Sequence, residues 1–254
     1  MDQAGPGRSD RSADARTPSS GAPDDGGLAT AVAALRAQGR SPKEIARALG
    51  VRPSLVAPLL RRIAAEQGPR RPVGDLVACL VNQGWADGLD VAPEPGWPLR
   101  AGPNGAAGLA SVVVAREAGG TKVSACCYLV DTHCLGVKSV IGPRRMRPGQ
   151  LASFVGQVYA AYGTAPLEAP IELAQQLVLG AVAFARRLGF EPPDDLAGSV
   201  GHLGEWDGRS SIEFGRHGRP TYVAGPYDDE ARVLRTLDRS VGHGNYDVVL
   251  GLSA

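Results

Sequence analysis

The chain has 254 residues, of which 43% are apolar, and this is enough to build a small domain beside a mid-sized one. Four cysteines at uneven spacing exclude a disulfide-rich secreted scaffold. The net charge is only +1, but residues 28–71 carry nine Arg and Lys against two Glu, whereas residues 72–254 carry 15 basic and 19 acidic side chains. This composition predicts a basic module, suited to a polyanion, joined to a mildly acidic larger one.

The N-terminal segment, residues 1–26, is rich in Gly, Pro, Ser, Asp and Arg and has no hydrophobic periodicity, so we expect a disordered tail. Its first 16 residues contain no apolar run, which argues against a secretory signal. The most apolar later stretch, residues 171–190, contains Glu172 and two glutamines and is too polar to cross a bilayer. These features predict a cytoplasmic protein without a membrane partner.

The most specific pattern in the chain is SPKEIARALGVRPSLVAPLLRRIA, residues 41–64. Ser41, Pro42 and Glu44 have the spacing of a helix start, with an N-cap, a proline at the first helical position and a capping-box glutamate. Gly50 fits the turn between two helices, where a left-handed backbone is least costly for glycine. The apolar positions have the spacing of two packed helices: Ile45, Ala46, Leu49, Val51, Val56 and Leu59.

This pattern resembles the helix-turn-helix of bacterial transcription regulators and of sigma-factor-like domains. With a supporting helix predicted over residues 28–40, it defines an expected helix-turn-helix domain over residues 27–68. The resemblance implies DNA as a partner, and the expected DNA-binding side chains are Lys43, Arg52, Ser54, Arg61 and Arg62. Ala57 and Pro58 offer only apolar contacts, so we expect phosphate anchoring rather than detailed base reading. A helical module that docks on protein or RNA is the alternative.

A linker, GPRRP at residues 68–72, separates this module from a second domain predicted over residues 73–254. Residues 73–85 fit either one more helix or the opening of the second domain. Residues 86–108 are rich in Gly and Pro and fit a long irregular loop. Three apolar β-rich runs follow, at residues 109–116, 122–130 and 135–141. The first two are joined by the hairpin sequence EAGG.

Helical periodicity returns at residues 148–162 and 167–188, and Gly189 ends the second of these helices. Because strands and helices occur in blocks, the predicted fold class is α+β. We expect a small all-α helix-turn-helix domain followed by a larger α+β domain with antiparallel hairpins and two to three helices.

The C-terminal region predicts a second hairpin over residues 211–224, with SIEFG and RPTYVAG as strands and RHG as the turn. A helix is expected over residues 228–240, with Asp228 and Asp229 in its first turn, where carboxylates favour the helix dipole. The last predicted strand is YDVVLGL, residues 246–252.

The segment CCYLVDTHCLGVK, residues 126–138, holds three of the four cysteines and one of the four histidines. Cys126 and Cys127 are adjacent, and neighbours in a strand point to opposite faces, so they cannot share one metal ion without distortion. The sequence has no CxxC pair of the kind that zinc sites use. We therefore expect no metal and no cofactor, and a buried strand in which cysteine acts as a small hydrophobe.

Cys134 is the candidate nucleophile of this segment. In an extended chain Cys134 and Lys138 share one face, and a nearby cation lowers the pKa of a thiol. Asp131 would orient the group, and His243, in the glycine-rich stretch GHGNYD, is the best candidate partner. These four residues would be catalytic in a thiol-dependent hydrolase or transferase. We favour the simpler interpretation, which is a core cysteine, a turn aspartate and a solvated lysine.

Four segments carry a second resemblance: YLVDTHCLGVK, AVAFARRLGFEPPDDL, IEFGRHGRPTYVAGPYDD and VGHGNYDVV. They are similar to parts of a widespread bacterial family of unknown function, over residues 75–251, whose members lack the helix-turn-helix. The resemblance implies a self-contained second domain. It supplies neither an activity nor catalytic residues.

Three functions follow from these patterns. The favoured one is a DNA-binding transcriptional regulator whose α+β domain senses a ligand, oligomerises or binds a partner. The first alternative is a thiol-dependent hydrolase or transferase that uses the helix-turn-helix for targeting. The second is an interaction protein that docks on a nucleoprotein assembly such as RNA polymerase or the ribosome. The patterns do not predict an oligomeric state.

Overall fold

The computed structural model describes residues 25–37, 40–66, 74–102 and 108–249, without the side chains of residues 25, 26, 37 and 61–66. The chain divides into two compact units, Met1–Ile63 and Ala64–Ala254, each described here by itself. Most of the predicted tail, at residues 1–24, and the predicted linker at residues 68–72 lie outside the described residues.

The first unit consists of α1 (Asp25–Ala37), α2 (Pro42–Leu49) and α3 (Pro53–Glu66). Among the side chains that the structure describes, four buried ones form their shared core: Val32, Ile45, Ala46 and Val56. Leu49, Val51 and Leu59 pack against this core, as their spacing in the sequence predicts. Apolar burial between the three helices is therefore what holds this short segment together.

Local sequence signals determine where α2 starts and ends. The N–H of Glu44 donates to Ser41 Oγ over 3.3 Å, and the Glu44 carboxylate accepts the N–H of Ser41 over 2.8 Å. The predicted capping box is thus present, with Pro42 at the first helical position. Gly50 ends the helix with φ of 64°, in the left-handed region that favours glycine. Pro58 lies beyond the first turn of α3, where it cannot donate to the carbonyl of Ser54.

The second unit contains strands and helices in the blocks that define an α+β fold. Within its described residues the strands are β1 (Leu76–Val81), β2 (Asp90–Val91), β3 (Leu109–Glu117), β4 (Val123–Asp131), β5 (Gly136–Met146), β6 (Leu167–Glu168), β7 (Ile212–Glu213), β8 (Thr221–Val223) and β9 (Asp247–Val249). The helices are α4 (Pro148–Tyr159), α5 (Ile171–Gln175), α6 (Ala181–Arg187), α7 (Leu196–Ser199) and α8 (Glu230–Ser240). A π-helical segment, Gln176–Gly180, joins α5 to α6, and 3₁₀ turns cover Ala160–Tyr162 and Val200–His202.

An antiparallel sheet with the strand order β5-β4-β3-β1-β6 forms the centre of this unit. β3 and β4 form the hairpin predicted at EAGG, with Leu109 opposite Asp131 and Glu117 opposite Val123. Residues 73–85 contribute the strand β1 instead of a helix, so they open the second unit.

Both faces of this sheet are buried at its central strands β3 and β4. Cys126 and Tyr128 belong to the larger core, which also contains Leu177 of the π-helical segment. Cys127 belongs to a smaller core on the other face, with Phe154 and others from α4. Strand alternation therefore separates Cys126 from Cys127, as predicted, and explains why β3 and β4 are continuous apolar runs rather than alternating ones.

The predicted hairpin over residues 211–224 is wrong. β7 pairs with the distant β2 in an antiparallel ribbon, and β8 pairs with β9 in parallel. The turn RHG is real, since His217 and Gly218 both have positive φ, but it supports only a bridge between Arg216 and Arg219. We call β2 and β7 the ribbon. Within the described ranges, none of the helices combines the length and apolarity needed to span a bilayer.

His202 belongs to a buried polar group against β3 and β4. Its Nε2 lies 2.9 Å from Ser124 Oγ, and its carbonyl accepts the Nε–H of Arg116 over 2.6 Å. Burial first, and then the nearby Arg116 cation, lower the pKa of His202. The neutral imidazole is therefore the form that the folded chain favours.

We expect Ser41→Ala to reduce the free energy of unfolding of the first unit by about 1 kcal/mol, because it removes the N-cap of α2. Amide hydrogen exchange across residues 42–49 measures this change. Ser54→Ala makes the same chemical change at an exposed position of α3 and serves as the control. Equal exchange in both variants would contradict the role of the cap.

Acid should destabilise the second unit through His202. Its folded-state pKa lies below the value of about 6.5 in an unfolded chain, so the unfolded state binds the proton first as the pH falls. Its contribution to stability is complete above about pH 6.5 and declines as the pH falls towards its folded-state pKa. We expect His202→Gln to flatten part of the loss in free energy of unfolding below about pH 6.5, measured by denaturant titration.

His243→Gln is the control for this measurement, because the side chain of His243 is 93% exposed. It should leave the pH dependence of stability unchanged. If His202→Gln and the natural chain lost the same free energy of unfolding as the pH fell, burial of His202 would not be the cause of the acid sensitivity.

Candidate functional site

Asp131 holds the turn between β4 and β5. Its buried carboxylate accepts the backbone N–H groups of His133 and Cys134, each over 2.9 Å, and that of Leu135. Burial raises the pKa of Asp131, while these N–H groups and Lys138 act in the opposite direction. The N–H groups of the turn have no partner strand, and the Asp131 carboxylate accepts them instead. These contacts are those of a structural residue.

Cys134 lies in the same turn and is fully buried. Burial first, and then the carboxylates of Asp131 and Asp228, raise the pKa of its thiol, and Lys138 offsets this only in part. A nucleophilic cysteine needs a lowered pKa and access to a substrate. The structure brings Asp131, Cys134 and Lys138 together as expected, but the environment favours a packed thiol over a reactive one.

A β-bulge in β5 sets the orientation of Lys138. The register of β4 and β5 shifts between Leu129 and Val130, and Lys138 is the additional residue on β5. Its Nζ donates to both carboxylate oxygens of Asp228, over 2.9 and 2.8 Å. The lysine is therefore paired rather than solvated, and its charge is directed to Asp228 more than to the Cys134 thiol.

Asp228 has a different role from the one predicted. It precedes α8 and, besides Lys138, accepts the backbone N–H of Gly225 over 3.0 Å. Asp229 alone caps α8, by accepting the N–H of Arg232 over 3.0 Å. The motif GPYDD thus combines a helix cap with an ion pair to β5, and the sequence pattern indicated only the cap.

His243 lies outside the group of Asp131, Cys134 and Lys138. Its exposed imidazole has Nδ1 at 3.2 Å from Asp238 Oδ1, on α8. The same oxygen accepts the hydroxyl of Tyr246 over 2.8 Å. His243 therefore lies on the exposed surface just after α8 and does not join Cys134 in a catalytic pair.

The predicted DNA-binding residues lie in the first unit. Lys43, Arg52 and Ser54 are exposed, with Arg52 and Ser54 at the start of α3. Arg61 and Arg62 also belong to α3, but their side chains lie outside the described residues.

The second unit also has a groove of about 700 Å³, which sequence patterns did not indicate. It is lined by the ribbon, by Gly180 of the π-helical segment, by α6 and, from the stretch before β7, by Trp206, Gly208, Ser210 and Ser211. This volume lies in the range of small-molecule sites, about 300–1,000 Å³.

Aromatic rings form the apolar part of the groove. Phe184 and Phe214 stack with their ring centroids 5.9 Å apart, and the guanidinium of Arg187 lies 5.6 Å from the Phe184 centroid. A Cβ at Gly180 would be 2.8 Å from the Phe214 ring, so a larger residue at this position would displace the ring. Trp206 donates its indole N–H to the carbonyl of Arg209, which fixes the ring at the end of the groove.

A polar network ties the ribbon to the π-helical segment. Gln176 is buried, donates to the Glu94 carboxylate over 2.8 Å and accepts the N–H of Ser211 over 2.7 Å. The hydroxyl of Ser211 also donates to Glu94 over 2.6 Å. The bonds from Ser211 and Gln176 lower the pKa of Glu94. π-Helical turns often occur at functional sites, and here one supports a wall of the groove.

Comparison with family models, curated proteins and solved structures finds no match to this chain. The groove was missed in the sequence because its residues come from three distant segments with no shared motif. The available signal was compositional: three of the seven Phe and Trp residues of the chain line it.

We expect Cys134 to react with an aromatic disulfide reagent no faster than Cys126 or Cys127 in the native chain at pH 7, because burial raises the pKa of all three thiols. Mass spectrometry of the labelled peptides over time measures this, with the unfolded chain as the reference. Rapid labelling of Cys134 ahead of the other two would restore the nucleophile hypothesis.

Proposed function

We propose that this chain is a cytoplasmic, ligand-responsive regulator that binds DNA through α2 and α3 and a small ligand in the groove of its second unit. The observation that carries the proposal is the arrangement of the capped α2, the left-handed turn at Gly50 and α3 around one apolar core. In a helix-turn-helix, the start of the second helix faces the major groove.

The exposed side chains of this helix pair suit an anionic partner. Arg52 and Ser54, at the start of α3, offer donors to phosphate oxygens, and Lys43 adds a cation on α2. Arginine can also contact guanine edges. Among the described side chains of α2 and α3 the acidic one is Glu44, and the capping box holds its carboxylate against Ser41 at the start of α2.

A second candidate function, docking on a nucleoprotein assembly, is favoured by Leu55. This side chain is 46% exposed on α3 and lies three positions before the exposed Pro58, on the same face of the helix. Exposed large apolar side chains on a helix are typical of protein contacts when they join a patch. Leu55→Ala should leave DNA affinity nearly unchanged if DNA binding is the function.

We expect Arg52→Gln to weaken DNA binding and to lower the slope of log K against log salt by about one, because one phosphate contact is lost. Fluorescence anisotropy of a labelled duplex over a salt series measures both quantities. Arg209→Gln removes the same charge from a side chain that is 91% exposed in the second unit, and it should have no effect. Failure of the natural chain to bind duplex DNA at low salt would contradict the proposal.

A further inference from the structure

The uncharged polar side chains that line the groove are already bonded within the chain. Trp206 donates its indole N–H to a carbonyl of its own loop, and the hydroxyl of Ser210 donates to the carbonyl of Ile212. The hydroxyl of Ser211 donates to the Glu94 carboxylate. A ligand in the groove therefore meets side chains whose N–H and O–H donors are already in use.

The charged side chains of the groove lie at its outer rim. Asp90 and Glu213 face each other in the ribbon, and Val91 and Ile212 form the next pair. Neighbouring residues of a strand point to opposite faces, so the buried Ile212 places the two exposed carboxylates on the far face. Arg187 is exposed as well. Water solvates these charges, and a charged ligand group inside the groove would have none of them as a partner.

The interior of the groove is apolar and largely aromatic. The buried rings of Phe184 and Phe214 stack against each other and form its floor. Gly180 and Ala183 complete the helical wall, and their small size leaves space beside these rings. The half-buried Trp206 ring closes one end. Ring faces and edges thus meet the groove from its floor and from one end, and such surfaces favour a further aromatic ring.

These features restrict the chemistry of a ligand. Moving a charge or a hydrogen-bond donor from water into the groove would cost free energy that no bond there offsets. Burying apolar surface against the rings is favourable for a molecule without charge. The volume of about 700 Å³ is large enough for a small ring compound.

We infer that the groove binds an uncharged aromatic small molecule, which packs its ring against Phe184, Phe214 and Trp206. This inference rests on the proposed ligand-binding role of the groove and names the class of ligand. It requires both the aromatic ring and the absence of charge, so each requirement can be tested with a matched compound.

The test measures equilibrium dialysis of four naphthalene compounds against the full-length chain at pH 7. We expect methyl naphthoate, which is uncharged, to bind with a Kd below about 0.1 mM. Naphthoate and naphthylmethylamine carry one charge each and should bind about tenfold or more weakly, because their charge finds no partner. The fully hydrogenated ester should bind about threefold or more weakly, because it has lost its ring faces.

Variants locate the bound compound. Ala183→Leu fills the space beside the rings and should weaken methyl naphthoate about tenfold, whereas Ala231→Leu makes the same change at an exposed position of α8 and should have no effect. Trp206→Leu should reduce the preference for the aromatic ester over the hydrogenated one. Tyr227→Leu, at a side chain that is 98% exposed and outside the groove, is its control.

Three results would overturn the inference. The first is absence of binding of methyl naphthoate up to about 1 mM. The second is equal binding of the charged or the hydrogenated compounds. The third is equal binding by Ala183→Leu and Ala231→Leu, since the compound would then occupy another part of the chain.

DNA binding without added compound is measured on the same preparation. If methyl naphthoate binds in the groove but DNA does not bind, the regulatory proposal fails and the groove assignment stands. If DNA binds but methyl naphthoate does not, the ligand class fails and the DNA-binding proposal stands.

Discussion

The carboxylate of Asp131 fixes the four-residue turn at residues 132–135, because it accepts the backbone N–H groups of three of these residues. Neighbouring loops are hydrogen-bonded to that turn. Once it is fixed, the carbonyl of Thr132 accepts the N–H of Gly215, and the carbonyl of His133 accepts the N–H of Thr221. These bonds attach the chain between β7 and β8 to the end of the central sheet. A buried carboxylate is costly unless its oxygens are bonded, and here the turn supplies those bonds.

The same turn reaches the other strand of the ribbon through His133. Its buried imidazole lies between Gly88 and Gly108, and a Cβ at either glycine would collide with the ring. The carbonyl of Gly88 in turn accepts the N–H of His217. Both strands of the ribbon, and with them a wall of the groove, are therefore positioned by the turn that begins at Asp131. The segment CCYLVDTHCLGVK therefore supports a wall of the groove through Asp131 and His133, while its Cys134 thiol stays buried.

Local signals in the sequence predicted local structure well. The capping box at Ser41 and the hairpin at EAGG each lie within a few residues, and the structure has both. The hairpin over residues 211–224 failed because the partners of its strands are far away in the chain: β7 pairs with Asp90–Val91 and β8 with Asp247–Val249. Turn residues identify a reversal of the chain, but they do not determine which strands pair beyond it.

The candidate site shows in the same way that nearby residues can be predicted from the sequence, whereas contacts between distant segments cannot. Cys134 is a candidate nucleophile in the sequence because it lies close to Asp131 and Lys138, and the three do come together in the fold. Only the fold shows that the thiol is buried and that the lysine is bonded to Asp228. Conversely, Arg187 and Glu213 are 26 positions apart with no motif between them, and they line the same groove only because the ribbon packs beside α6.

The supporting role of Asp131 is tested most directly by backbone amide exchange in Asp131→Asn. We expect faster exchange within the turn and also at Gly215 and Thr221, whose N–H groups bond to it, with the amides of α2 unchanged. Faster exchange confined to the turn, with Gly215 and Thr221 protected as before, would contradict it, because the ribbon would then be held independently of this carboxylate.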